Sequence, residues 1–301
     1  MMALLRRPST VGRWLRQASS TAFPAYGSVG GAYTLANGHD VYFTSHGPST
    51  AAATVVLLHG APGSFKDFKY LAPLLVEALP QLNVVALDLP GNGRTSGDAA
   101  GGQAHLSSET VATAATEVVN GLLRESQPVI LIGHSFGGHT AMQVAAATSR
   151  DVRGLVLLNS VGLDRRPYER FAQPFSRLLR TDGLLRKLVI AINHWRYMNI
   201  FKFPKNTPID DLTFALQRLG SSDFDAIEAC VTRLRAKQLP TIVAYAMDDI
   251  VVRPNVGLEL SERLAADVHL AYPVGGHNLQ KTQVKDVVAN VATWISTRLG
   301  L

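Results

Sequence analysis

Seven short apolar runs recur along the chain, at residues 41–44, 55–58, 84–87, 129–132, 155–158, 242–246 and 268–272. Most are continuously apolar rather than alternating, which is how a strand reads when both of its faces are buried in a parallel sheet. Between them, apolar residues return with helical spacing at about 65–79, 106–124, 136–149, 255–265 and 283–299. This alternation predicts an α/β fold with a doubly wound, mostly parallel sheet. It stops over residues 162–239, which hold helical segments and loops without a clear buried strand. That interval predicts a helical cap inserted over the carboxyl ends of the strands, where open α/β sheets place their ligands. The core is then expected in two pieces, 23–161 and 240–301.

A chain of 301 residues can bury about 75% of its unfolded surface. Its 47% hydrophobic and 17% charged content is that of a globular protein, not a disordered one. No apolar run reaches the ~20 residues of a membrane span. The net charge of +6 is uneven. Residues 1–39 carry Arg6, Arg7, Arg13 and Arg16 and no acid, while residues 164–205 carry ten Lys/Arg against three Asp/Glu. The remainder is acidic on balance, so the chain is not a uniformly basic nucleic-acid binder. Residues 1–22 are rich in Arg, Ser, Thr and Ala, and Leu4, Leu5, Val11, Trp14 and Leu15 fall on one side of a helix. That composition predicts a mitochondrial transit peptide and a matrix location; a secretory signal would need a longer apolar core. The single cysteine, Cys230, excludes an internal disulfide and is expected as an ordinary helix residue.

The chemistry centres on Gly133-His134-Ser135-Phe136-Gly137. A short strand pattern precedes this G-x-S-x-G pentapeptide and a small-residue helix pattern follows it. A serine on so sharp a turn has its hydroxyl exposed above the sheet, and glycines two residues away on each side let strand and helix pass closely. A serine hydroxyl needs a histidine to take its proton and a carboxylate to orient that histidine, in the chain order Ser, acid, His. His194 falls inside the expected cap. His269 falls within the last strand pattern, pointing into the sheet packing. His277 follows that strand in Gly275-Gly276-His277-Asn278, on a loop that can reach the serine, and is the expected base. The acid is expected beyond the strand at 241–246, in Met247-Asp248-Asp249. Counting along the strand favours Asp249, with Asp248 the alternative. Two backbone N–H groups must also face the charge that develops on an acyl oxygen. Phe136, next to the nucleophile, supplies one. The other is expected from His59-Gly60-Ala61-Pro62-Gly63; Pro62 has no N–H, which leaves Ala61. His59 and Asp88 are read as loop-structuring groups. Gly91-Asn92-Gly93 lacks the spacing of a nucleotide loop.

With these pieces the chain resembles the α/β-hydrolase superfamily over roughly residues 30–300 outside the cap. The matching stretches are HGAPG at 59–63, DLPGNGRTS at 88–96, GHSFGG at 133–138, PTIVAYAMDD at 240–249 and GGH at 275–277. In that family's pattern the acid lies three residues beyond a strand-ending glycine. Ala246 stands in the glycine's place here, and the same count again selects Asp249. Residues 62–70 also resemble a subgroup with no assigned activity. Epoxide hydrolases and haloalkane dehalogenases of this superfamily carry an aspartate at the elbow, and Ser135 argues against both.

The resemblance implies the α/β-hydrolase fold and a serine hydrolase cleaving a carboxylic ester or thioester, with no metal or organic cofactor. Acyl transfer or peptide cleavage could use the same groups, and a non-catalytic scaffold is the rival from another class. The 162–239 interval interleaves Tyr168, Phe171, Trp195, Tyr197 and Phe201 with its bases. It is expected to form an amphipathic lid. A sharper expectation is an apolar acyl pocket with a cationic rim, suited to a small-molecule substrate with an anionic part or to an anionic membrane surface. Nothing else in the chain supports a nucleic-acid partner.

Overall fold

A computed structural model describes residues 29–48, 50–166 and 168–301. The transit-type leader expected at 1–22 lies outside the described residues. Eight strands form one sheet: β1 (Val29–Thr34), β2 (Asp40–His46), β3 (Ala53–Leu58), β4 (Leu82–Leu87), β5 (Val129–His134), β6 (Val152–Leu158), β7 (Thr241–Ala246) and β8 (Val268–Tyr272). Their order is β1-β2-β4-β3-β5-β6-β7-β8. β2 pairs antiparallel with β1 and β4, and every other pairing is parallel. The seven apolar runs became β2 to β8. β1 has no counterpart among them, because its sequence VGGAYT is glycine-rich and lies on a largely exposed edge, so no apolar run marks it.

All residues of β3, β5 and β7 are buried, as the continuous runs imply. Alternate side chains feed two separate cores. Val56, Leu58, Leu131, Leu157 and Val243 enter one; Val55, Leu57, Ile130, Ile132 and Ala244 enter the other. The second is covered by α1 (Leu71–Ala78) and, from the far end of the chain, Val284–Trp294. The first is covered by α2 (Ser108–Leu122), α3 (Phe136–Ala147) and helices that follow β6.

Between β6 and β7 lie α4 (Gln173–Leu179), α5 (Leu184–Asn199), α6 (Ile209–Gly220) and α7 (Phe224–Ala236). The expected 162–239 insertion divides here. α4, α5 and α6 share a small core of their own, built on Ala172, Leu179, Val189 and Leu216. Ile227, Val231 and Leu234 of α7 instead join the main core beside α3, as does Leu260 of α8 (Pro254–Leu264). The boundary was hidden because an amphipathic helix has the same period whichever core it faces. Val284–Trp294 is α9.

The placement of α7 has a measurable consequence. Ile227 is 1% exposed, so Ile227→Ala should cost about 2–4 kcal/mol of unfolding free energy. Leu188→Ala on exposed α5 should stay within about 0.5 kcal/mol of the parent. Urea unfolding of both variants tests the division, and equal losses would refute it.

Candidate active site

The turn between β5 and α3 is strained at one residue. Ser135 has φ 53° and ψ −123°, a region that costs a non-glycine residue about 1–3 kcal/mol. Neighbouring backbone holds it there. The Ser135 N–H donates to Leu158 O at 3.0 Å, and the Ser135 carbonyl accepts from Gly138 N at 2.9 Å and Val161 N at 3.2 Å. A Cβ on Gly133 would strike the Gly137 carbonyl, and one on Gly137 would strike the Leu58 carbonyl. Only glycine allows β5, α3 and β3 to close to this distance.

Three side chains meet above the turn. The Ser135 hydroxyl lies 3.0 Å from His277 Nε2, and His277 Nδ1 lies 2.8 Å from Asp249 Oδ2. The geometry fits the hydroxyl donating to Nε2 and Nδ1–H donating to the carboxylate, one continuous hydrogen-bond line through the ring. The Asp249 side chain is fully buried. Its Oδ1 accepts from Val251 N at 2.8 Å and Val252 N at 3.0 Å, so the carboxylate is fixed before it meets the ring.

Asp248 does different work. Its Oδ1 accepts from Gly275 N at 2.9 Å and Gly276 N at 2.7 Å. The Gly276 contact, above all, holds its carboxyl below the usual carboxylate range. Adjacent aspartates on alternating faces thus serve the ring and the loop that carries it. Asn159, beyond β6, completes the support: its Nδ2 donates to Gly276 O at 2.7 Å and its Oδ1 accepts from Ala246 N at 2.9 Å. The sequence reading missed it. Its signal was faint, an asparagine just past a strand end, where it tolerates the φ of 42° found here.

Ala61 and Phe136 line the same cavity as Ser135 and His277. Phe136 opens α3, so its N–H belongs to the first turn, whose donors have no partner within the helix. Gly60 brings the preceding loop against the serine: a Cβ there would lie 3.1 Å from Ser135 Cβ. That loop is held by His59, whose Nδ1 lies 2.6 Å from Gly60 O while Nε2 accepts from Leu89 N at 2.9 Å. Asp88, fully buried, accepts from Phe65 N at 2.8 Å and Arg94 N at 3.0 Å. Both act as the loop-structuring groups they were read to be.

Other histidines stand apart from the Ser135–His277–Asp249 hydrogen-bond line. His134 is buried behind His277 and donates from Nε2 to the His277 carbonyl at 2.8 Å. Burial, reinforced by His277, pushes its imidazole down to about 3. His139, also downstream of the serine, is buried in α3, and its Nε2 donates to Gly162 O at 2.9 Å. His269 sits exposed on edge strand β8 and bonds the Tyr245 hydroxyl at 2.6 Å, so it is not packed into the sheet as expected. His194 lies in α5 and does not line the cavity.

One group from the inserted helices reaches the elbow. Arg218 of α6 is 1% exposed, and its Nη2 donates to Phe136 O at 3.0 Å and Thr140 Oγ1 at 2.6 Å. Burial lowers its guanidinium to about 9, which still leaves it charged at neutral pH. Nothing local in the sequence marks a buried arginine, so Arg218 carries no signal there.

The cavity holds about 650 Å³. Phe136, Val161, Tyr168 and Leu219 form apolar wall, and Tyr197 and Phe201 close it from the end of α5. Lys202 and Lys281 stand at its margin; Lys281 pairs with Asp67 at 2.6 Å. A larger groove of about 950 Å³ between α2, α3 and α7 includes half-buried Cys230 but none of these groups. Among the described residues no cluster of His, Cys, Asp or Glu could hold a metal ion.

A family model described as an alpha/beta hydrolase of unknown function (DUF1057) matches residues 34–296. A 2-hydroxy-6-oxononadienedioate/2-hydroxy-6-oxononatrienedioate hydrolase of Cupriavidus pinatubonensis is 31% identical over 243 residues, covering 73% of this chain and 80% of that protein. Among solved structures, a haloalkane dehalogenase variant from Bradyrhizobium elkanii superposes with a TM-score of 0.70 at 18% identity, covering 91% of this chain and 98% of its own. A carboxylesterase structure from Nitrososphaera gargenis gives a TM-score of 0.67 at 17% identity, covering 89% and 100%. At such identities the structural matches speak for the fold alone.

Buried neutral histidines make stability depend on pH. Burial lowers His139 from 6.5 to about 4. The unfolded chain therefore binds the extra proton first, and stability present above 6.5 is lost as pH falls towards 4. His139 alone should contribute a loss on the order of 3 kcal/mol over that window. Urea titrations between pH 7 and pH 4 should show a shallower decline for His139→Gln; an unchanged decline would contradict this.

Proposed function

The chain belongs to the α/β-hydrolase family matched over residues 34–296, and from that premise we propose that it is a serine hydrolase acting on a carboxylic ester or thioester. The observation that carries the reading is the unbroken Ser135–His277–Asp249 hydrogen-bond line at the floor of a largely apolar cavity.

Ser135 Oγ attacks the acyl carbon while His277 Nε2 takes its proton. The oxygen of the tetrahedral adduct is held by the Ala61 and Phe136 N–H groups. Asp249 keeps Nδ1–H in place and stabilises the imidazolium. That imidazolium then protonates the departing alkoxide or thiolate as the bond to the acyl carbon breaks. Water attacks the acyl-enzyme with His277 again as base; the acyl–Oγ bond breaks, His277 returns the proton to Ser135 Oγ, and the carboxylic acid leaves. The apolar walls suit an acyl chain, and Lys202 at the margin suits an anionic portion of the substrate. The dioate named for the relative at 31% identity is a doubly anionic substrate, in keeping with such a margin.

A fluorophosphonate probe should label the intact protein and leave Ser135→Ala unlabelled. Equal labelling of the two, or none of either, would sink the proposal. Asp249→Asn should lower kcat/KM on a short-chain ester by about 10³–10⁴. Asp248→Asn, which loosens the loop without removing the ring's partner, should cost about 10-fold to 100-fold; the reverse ranking would exchange their roles.

A further inference from the structure

α5 presents an apolar face to solvent that its own packing does not need. Its inner side, with Val189 and Ile190, meets α4 and α6, and Asn193 bonds the α6 backbone at Leu212 O. On its outer side Leu184 is 81% exposed, Trp195 57% and Leu188 53%, with Leu185 and Ile192 beside them. At about 100° per residue these five fall within one arc of about 100°. Scattered exposed leucines need no explanation, but a continuous stripe along one helix face marks an interaction surface.

Charge identifies what the stripe fits. By the same helical geometry Arg196 borders the stripe on one side and Lys187 on the other. Neither has a carboxylate within ion-pair distance among the described residues. Residues 164–205 around it hold ten bases against three acids. A helix with leucine and tryptophan on one face, cations at its borders and no membrane-spanning length is built to lie in a lipid headgroup layer. No helix among the described residues is long and apolar enough to cross a membrane. A second copy docking through the same face would set these cations against their equivalents, which disfavours self-association. We infer that α5 is a docking face for an anionic phospholipid surface, with its apolar stripe in the headgroup region and Lys187 and Arg196 against the phosphates.

The position of the helix gives this docking a direction. Tyr197 and Phe201, at the end of α5, line the cavity over Ser135, while the neighbouring Ile200 is 56% exposed. A bilayer seated on the stripe therefore meets the molecule beside the cavity wall. Substrate held in lipid would enter without crossing bulk water. That last step rests on the proposed hydrolase reading; the docking does not.

Flotation of the full chain with vesicles separates the two. The protein should float with vesicles of phosphatidylcholine mixed with phosphatidylglycerol and stay behind with phosphatidylcholine alone, and its binding should weaken as salt rises. Leu188→Glu with Trp195→Glu should lower partitioning at least about 10-fold, and Lys187→Glu with Arg196→Glu should do so as well. The urea midpoint of the Leu188/Trp195 pair should stay close to that of the parent, which would show that the protein remains folded whether or not it turns over an ester. The inference is overturned if the wild-type protein does not float. It is equally overturned if the Leu188/Trp195 pair floats as well as the parent, because another segment would then do the binding. A concentration-dependent dimer that the same pair abolishes would assign the face to a second copy instead.

Discussion

The strained backbone at Ser135 is the constraint from which the site is measured. A serine does not adopt φ 53° on its own account. It is held there by hydrogen bonds from Gly138 and Val161 and to Leu158, with glycine on either side so that three elements can close around it. Those bonds come from α3, β6 and the chain just beyond β6. The geometry at one hydroxyl therefore depends on the register of the sheet. A shift between β5 and β6 would misplace the serine without touching its side chain.

Around this fixed point the protein distributes support over separate strand ends. β7 ends in two aspartates with separate duties: Asp249 meets the imidazole, and Asp248 holds the glycines that lead to it. Asn159, beyond β6, bridges β7 and the same loop. His134 grips the backbone of His277 from behind. The ring is thus set by four side chains from three strand ends, and its orientation is fixed before any substrate arrives. Such preorganisation is what electrostatic stabilisation of a developing charge requires.

The inserted helices are tied to this frame from one side and open on the other. α6 sends Arg218 into the elbow, where its guanidinium bonds Phe136 O, so the peptide behind one expected oxyanion donor is anchored by the cap. α5 packs on α6 through its inner face alone and leaves a stripe of leucine and tryptophan in water. Exposing that much apolar surface is costly for a soluble helix. The cost makes sense if the surface is covered in use.

Much of the fold was legible because a parallel sheet writes itself into sequence as unbroken apolar runs. Seven of eight strands carried that mark, and β1 did not because it lies glycine-rich on an open edge. Ser135, His277, Asp249 and the Ala61 loop were legible because each sits a short, countable distance beyond a strand end. Asn159 and Arg218 were not, since their partners lie at Gly276 and Phe136, far away in the chain. The division of 162–239 between cap and core was equally unreadable. By itself, then, the sequence determined the sheet, the sharp turn at Ser135 and the order in which Ser135, Asp249 and His277 follow their strands, all properties of local period and spacing. Only the tertiary structure decided what the second aspartate holds, which arginine is buried and which helix face is left bare. Those depend on what packs against what, and packing is set by contacts between segments that no local pattern records.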